Sequence, residues 1–326
     1  MKNRFLILLS FVLIVGRDVV CANTSMVRER ININRDWRYQ IDDPDGVGAA
    51  LHYSRLKPYL LPCANDFIIF GKRYQRPEGN PGENIAYVKS DFDDSEWRHL
   101  NLPHDWAIEG PFNIDYNGST GKLPYWGIRW YRKTLELSQD DAGKQIYLDI
   151  DGAMSYVSVW CNGQYVGGWP YGYASFRLDL TPYIKAGQKN VLAIRLDNPD
   201  DTSRWYPGSG IYRNVWLVKT SPVHVEQWGT FVRNQQVDSE IAVMEMGVNI
   251  ENHAGKDVQV KLQTSVYLQG KDGRPVGEEV TQSMTKDIAI KKDSWSSARF
   301  QFKVDKPKLW DIDTPNCYVA VSRVFM

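Results

Sequence analysis

Apolar residues recur at every second position through much of the chain. Val258, Val260, Leu262, Thr264, Val266 and Leu268 share one face of an extended segment, as do Met244, Met246, Val248 and Ile250, and later Ala298, Phe300, Phe302 and Val304. Successive side chains of a strand point to opposite faces, so this spacing predicts half-buried strands. Further strands are expected over residues 130–137, 145–151, 155–161, 191–197 and 215–219. Turn-forming pairs separate them at short intervals: Asn162-Gly163, Ala186-Gly187, Asn198-Pro199 and Asp272-Gly273. Helical periodicity is almost absent. Short strands punctuated this often predict β-sandwiches.

The pattern changes near Thr220-Ser221-Pro222. Before it, Trp and Tyr are dense and the loops are long and rich in Gly and Pro; after it come plainer alternating strands with Lys, Gln and Asp on the polar face. A domain boundary is expected there, giving one sandwich over residues 23–220 and a second over 221–326. Residues 42–84 have little periodicity and many Pro, Gly and charged positions. They form a long excursion from the first sandwich, with no element assigned. No internal repeat or low-complexity tract is visible.

The first residues read differently. Lys2 and Arg4 precede an apolar run from Phe5 to Val15, and Val20-Cys21-Ala22 offers small residues for a cut after Ala22. That is the layout of a secretory signal over residues 1–22, and the run is too short to span a bilayer comfortably. Export to the periplasm or the extracellular medium is expected; the alternative is a lipid-anchored surface form on Cys21. The remaining cysteines, Cys63, Cys161 and Cys317, are odd in number and irregular in spacing, so no disulfide framework is expected and buried small hydrophobes are the reading.

Composition narrows the function classes. The 326 residues carry 39 Lys plus Arg against 39 Asp plus Glu, a balance that gives no electrostatic footprint for nucleic acid. Aromatic residues reach 13%, with 12 Trp and 18 Tyr. Such an excess suits all-β folds and sugar-binding surfaces. No Cys or His pair shows ligand spacing, so no metal and no cofactor is expected.

Candidate chemistry is sparse. There is no Gly-x-Ser-x-Gly elbow, no phosphate-cradling loop and no His-Glu-x-x-His. Adjacent acids occur at Asp93-Asp94, Asp140-Asp141 and Asp200-Asp201, where solvated turns are the simpler account than paired catalytic carboxylates. His104-Asp105 is read as structural, because neighbours on a strand face opposite ways. The strongest local feature is the run from Asp197 to Leu217, which holds Asp200, Asp201, Arg204, Trp205 and Tyr206 before Pro207-Gly208-Ser209-Gly210. Carboxylates accept hydrogen bonds from vicinal sugar hydroxyls, Arg donates a fork of them, and an aromatic face packs on the C–H face of a pyranose. Local pairing of Arg204 and Arg213 with these acids, and Trp205 as a core cover, explains the run equally well.

Several strings together resemble the N-terminal part of glycoside hydrolase family 2, the family of β-galactosidases, β-glucuronidases and β-mannosidases. They are FDDSEWRHLNLPHDW from Phe92, GIRWYRKTLEL from Gly127, VSVWCNGQYVGGWPYGYASFRLDLTPYI from Val157, then NVLAIRLDN and RWYPGSGIYRNVWL, in the family order. The resemblance implies a jelly-roll, galactose-binding-like β-sandwich followed by an immunoglobulin-like β-sandwich, all-β, with the catalytic (β/α)8 barrel and its two glutamates absent. A barrel takes about 250 residues, more than remain after Ser221. Leu309-Trp310 and Thr314-Pro315-Asn316-Cys317-Tyr318 resemble the family's last sandwich strands, after which the match fades, and a missing final strand is expected.

What the resemblance implies about a site is a loop acid that reaches the sugar. Asp201 is the first choice, supported by Arg204 and Trp205, with Tyr125 and Trp126 as candidates on the neighbouring loop. No residue of the chain is expected to be catalytic. The implied partner is a β-galactoside-containing glycan, and the implied role is the noncatalytic part of an exported retaining exo-glycosidase. The alternatives are a free-standing carbohydrate-binding module or an inactive remnant, and β-glucuronidase or β-mannosidase specificity. The PGSGIYR string leans toward galactosidases.

Overall fold

The computed structural model describes residues 28–68, 71–200 and 208–326. The expected signal segment lies outside them. The first sandwich holds β1 (Glu29–Asn32), β2 (Trp37–Ile41), β3 (Arg98–Leu100), β4 (Gly127–Glu136), β5 (Gln145–Ile150), β6 (Val157–Cys161), β7 (Gln164–Trp169), β8 (Phe176–Asp179), β9 (Lys189–Asn198) and β10 (Val215–Thr220). The second holds β11 (Val223–Val237), β12 (Ile241–Asn252), β13 (Val258–Gln269), β14 (Pro275–Val276), β15 (Met284–Ile290), β16 (Ser294–Asp305) and β17 (Tyr318–Phe325).

Among the described residues, a six-stranded sheet in the order β3-β2-β4-β9-β6-β7 faces a four-stranded sheet, β1-β10-β5-β8. Trp37, Tyr131, Val159, Ile194 and Leu196 from one sheet meet Leu148, Ile150, Leu178 and Leu217 from the other, which closes the jelly-roll core. The hairpin between β6 and β7 turns at Asn162-Gly163, both with positive φ as such a two-residue turn requires. In the second sandwich β11-β12-β16 packs on β13 with its neighbours β14, β15 and β17, through Val248, Ile250, Leu262, Phe300 and Phe302. β17 pairs with β13 alone among the described strands. No helix of the described residues is long and apolar enough to cross a membrane.

The excursion, unassigned from its sequence, is a third layer. It contains the helix α1 (Tyr53–Leu60) and short 3-10 turns at Gly48–Leu51 and Leu61–Phe67, and a further turn at Ala86–Val88 follows it. Leu56 and Leu60, four apart, put the buried face of α1 on the sheet. With Leu51, Ile85, Val88 and Trp97 they cover Trp130, Trp160 and Tyr165 on the outer face of the six-stranded sheet. Each such burial contributes roughly 1.5–3 kcal/mol, which holds a layer with little secondary structure of its own. β4 is consequently buried on both faces, Tyr131 toward the sandwich core and Trp130 and Arg132 toward the excursion.

Polar fasteners complete the layer. The Asp43 carboxylate accepts from the Trp130 indole at 2.8 Å and from two nitrogens of Arg195, each at 2.8 Å. Arg132 donates to Asp94 at 2.8 Å and to the carbonyls of Tyr87 and Lys89, and the Trp160 indole donates to the Pro81 carbonyl at 2.7 Å. The cysteines follow expectation only in part. Cys161 is buried in the core and Cys63 half-buried against it, whereas Cys317 is exposed because it sits in the loop before β17.

Candidate functional site

The site lies at the end of the six-stranded sheet where β4 begins and β9 ends. Antiparallel pairing of Gly127 with Asn198 sets the loop carrying Tyr125 and Trp126 beside the loop carrying Pro199 and Asp200. A second junction comes from the bridge between Met154 and Gly210, which brings Ser155 and Ser209 to the same end.

The Tyr125 carbonyl is the hub. It accepts from Asn198 Nδ2 at 2.8 Å and from Ser209 Oγ at 2.6 Å, while Ser155 Oγ donates to Asn198 Oδ1 at 3.1 Å. Tyr125, Asn198, Ser155 and Ser209 are all buried, so these bonds act in a dry environment where losing one partner is costly. The Tyr125 hydroxyl then reaches outward and donates to Asp200 Oδ1 at 2.6 Å. That bond fixes the carboxylate at the mouth of the loops.

Around it stands an aromatic wall. The Trp126 ring meets Tyr116 edge-on at 4.7 Å and Tyr125 at 5.5 Å, and the group packs on Ala107 and Leu123. Ile108, Phe112 and Ile114, on the segment that leads to Tyr116, are exposed. A carboxylate beside ring faces is what a pyranose needs from one side of a pocket, and the buried amide and hydroxyls beneath hold the two loops in place.

His104 and Asp105 lie beyond the end of β3 rather than on a strand, so the opposite faces expected of strand neighbours do not apply, and each is engaged in local bonds. His104 Nδ1 pairs with the Tyr131 hydroxyl at 2.7 Å and Nε2 with Glu109 at 3.2 Å, whereas Asp105 accepts from the Ala107 amide at 2.9 Å. Burial pushes the His104 imidazole below its usual range, with Glu109 opposing. Burial likewise raises the Asp105 carboxyl, against amide donation from Ala107, Ser209 and Ile108. Gly210 has φ +80°, and a Cβ there would lie 2.5 Å from the His104 carbonyl, so only glycine closes this junction.

Of the residues singled out in the sequence, Asp201, Arg204 and Trp205 lie outside the described residues. Tyr125 and Trp126 come together with Asp200, the neighbour of the acid first chosen. Asn198, Ser155, Ser209 and Tyr116 went unnoticed as site residues. Only the Asn198-Pro199 turn marked the place, since the serines carry no local signal. No group of three or more His, Cys, Asp and Glu side chains among the described residues could hold a metal ion.

Family models match the chain in two consecutive pieces: the sugar binding domain of glycosyl hydrolases family 2 over residues 86–221, and a second family 2 model over residues 223–325. The chain belongs to glycosyl hydrolase family 2. It is 40% identical over 309 residues to the β-galactosidase BoGH2A of Bacteroides ovatus, covering 93% of this chain and 31% of that protein. It is 34% identical over 269 residues to a putative β-glucuronidase of Formosa agariphila, covering 79% of this chain and 24% of that one. Among solved structures, a family 2 member from Bacteroides cellulosilyticus superposes with a TM-score of 0.72 at 26% identity, over 91% of this chain and 33% of that one. The chain thus spans about a third or less of these relatives, and its described residues form no closed (β/α)8 barrel.

Proposed function

We propose that the chain is the N-terminal, sugar-contacting part of an exported, retaining exo-glycosidase of β-galactosidase type. Hydrolysis of the O-glycosidic bond falls to a barrel outside these residues, where family resemblance implies two glutamates about 5–5.5 Å apart, one protonating the leaving oxygen and one attacking the anomeric carbon. This chain supplies one wall of the sugar pocket. The observation that carries the reading is the hydrogen bond that holds Asp200 on Tyr125 at the meeting of the two loops. So held, the carboxylate stands at the loop mouth with the Trp126 and Tyr116 rings alongside, the acid-and-ring pairing that suits a sugar's hydroxyls and C–H face. The galactoside preference is supported by the 40% identity to a β-galactosidase. Export is supported by the signal-like residues 1–22.

The test mixes the purified chain with a separately expressed family 2 barrel and follows a chromogenic β-galactoside, with the β-glucuronide and β-mannoside as controls. Hydrolysis is expected on mixing, not from the chain alone. Asp200→Ala is expected to lower the complemented rate on the order of tenfold to hundredfold, the loss of one or two hydrogen bonds to substrate. Activity from the chain alone overturns the assignment of catalysis to the barrel. Preference for the glucuronide overturns the galactoside reading, and glycan binding without complementation favours a free-standing carbohydrate-binding module.

A further inference from the structure

A cavity of about 440 Å³ opens in the seam between the two sandwiches, built from elements that the Tyr125–Asp200 site does not use. Its floor is the outer face of the four-stranded sheet. Pairing of Tyr147 with Asp179 and of Asp149 with Arg177 puts all four side chains on one side of β5 and β8, away from the jelly-roll core. Its roof is a defect in β11. Register with β12 breaks between Val225 and Thr230, so the intervening residues leave the ladder. Trp228 at the crest takes φ +54° and stays 63% exposed, although a bulky residue rarely adopts that conformation and seldom leaves its ring in water. The ring lies 6.3 Å from Phe67, which in turn packs on Trp169.

Among the described residues, three carboxylates of the cavity are each bonded through one oxygen. Glu226 Oε2 accepts from Asn249 at 2.8 Å, Asp179 Oδ1 from the Thr181 amide at 2.8 Å, and Glu251 Oε2 pairs with His253 at 3.1 Å. Each carboxylate carries a second oxygen for a further donor. Arg177 is spent differently, its fork closing on Asp149 at 2.6 and 2.8 Å. Acceptors, donors from Gln227 and His253, and an exposed indole face therefore share one opening of ligand size. An anion would meet Asp179, Glu226 and Glu251 in the same wall, with Arg177 already closed on Asp149. A neutral polyhydroxylated ring satisfies donors and acceptors alike and offers C–H bonds to the indole.

We propose that this seam is a second carbohydrate site, taking a neutral glycosyl unit against Trp228 with Glu226 and Glu251 as hydroxyl acceptors. It stands on different residues from the loop site and does not depend on the sugar assigned there.

Saturation-transfer NMR and calorimetric titration of the full chain with lactose and methyl β-glucoside test it, with tetramethylammonium and methyl β-glucuronide as charged controls. Saturable binding of a neutral sugar is expected, weakened about tenfold or more by Trp228→Ala and by Glu226→Gln. Trp228 is exposed, so its replacement leaves the fold intact, checked by an unchanged melting profile. Absence of saturable binding, binding retained in both seam variants, or preference for tetramethylammonium would each overturn the proposal. Loss of binding in Asp200→Ala alone would place the sugar at the loop site instead.

Discussion

Asp43 ties the excursion to the jelly roll through two of its most buried side chains, and replacing it by alanine tests whether that layer is part of the folded unit. Arg195 is buried to 4% side-chain exposure and Asp43 to 14%, with a second, longer contact from Arg195 to Asp197 at 3.2 Å. Removing one member of a buried pair costs about 3–5 kcal/mol, because the remaining charge stays desolvated. The Trp130 indole also loses its acceptor, a penalty of about 1–3 kcal/mol taken alone. The terms overlap at one carboxylate, and both Asp197 and the partial exposure of the site soften the loss. The net expectation is about 3 kcal/mol. Asp43→Asn keeps one acceptor oxygen and should cost about half that. Urea unfolding of the full chain, followed by tryptophan fluorescence, reads the effect, since Trp130 stacks on Trp160 at 5.4 Å beneath the excursion. The midpoint should fall at constant slope, with the second sandwich's transition unmoved. A loss below about 0.5 kcal/mol would refute the reasoning, as would an equal shift in both transitions. Asp43→Leu combined with Arg195→Met should recover part of the loss, because an apolar pair leaves no stranded charge.

Gly210→Ala should destabilise the first sandwich by about 2 kcal/mol or more, since the new methyl meets the His104 carbonyl at 2.5 Å with φ at +80°, and thermal melting of the variant checks it. Acid should loosen the seam through His224, whose imidazole burial pushes down to about 4 against the opposing charge of Glu251. Between roughly pH 6.5 and 4 the unfolded chain binds this proton and the folded chain does not, so stability falls as pH drops through that window. Glu251, held low chiefly by His253 against the effect of burial, adds stability above its ordinary range that is lost as pH falls through its lowered value. His253 is raised by its bond to Glu251, so its contribution is full below its ordinary range and disappears as pH climbs through the raised value. Melts from pH 4 to 8 should flatten on the acid side in His224→Gln; an unchanged acid slope would show that the histidine does not carry the effect.

The strands of the second sandwich were legible because one-sided burial writes itself as alternation, along β13 as far as Thr264 and along β16 from Ala298 to Val304. The third layer was not. α1 has eight residues with Pro58 inside, and its cover is spread over long stretches without period, so no local window contains the signal. The same limit hid half of the site. Asn198, Ser155 and Ser209 meet Tyr125 only because strand register joins residue 127 to 198 and a bridge joins 154 to 210. Nor does spacing choose between adjacent acids such as Asp200 and Asp201. The strings that carry the family resemblance turn out to be largely fasteners. Asp94 of the first and Arg132 of the second bind each other, LPHDW supplies the histidine that closes on Tyr131, and RLDN supplies the arginine that closes on Asp43. Residues under such packing and pairing constraints identify the architecture reliably, because almost any change to them costs stability. They report little about the sugar, because their side chains are turned to packing and pairing inside the fold. A family can therefore be read from this chain with assurance while relatives named β-galactosidase and β-glucuronidase match the same strands, so the strands that identify the architecture do not by themselves separate the two sugars.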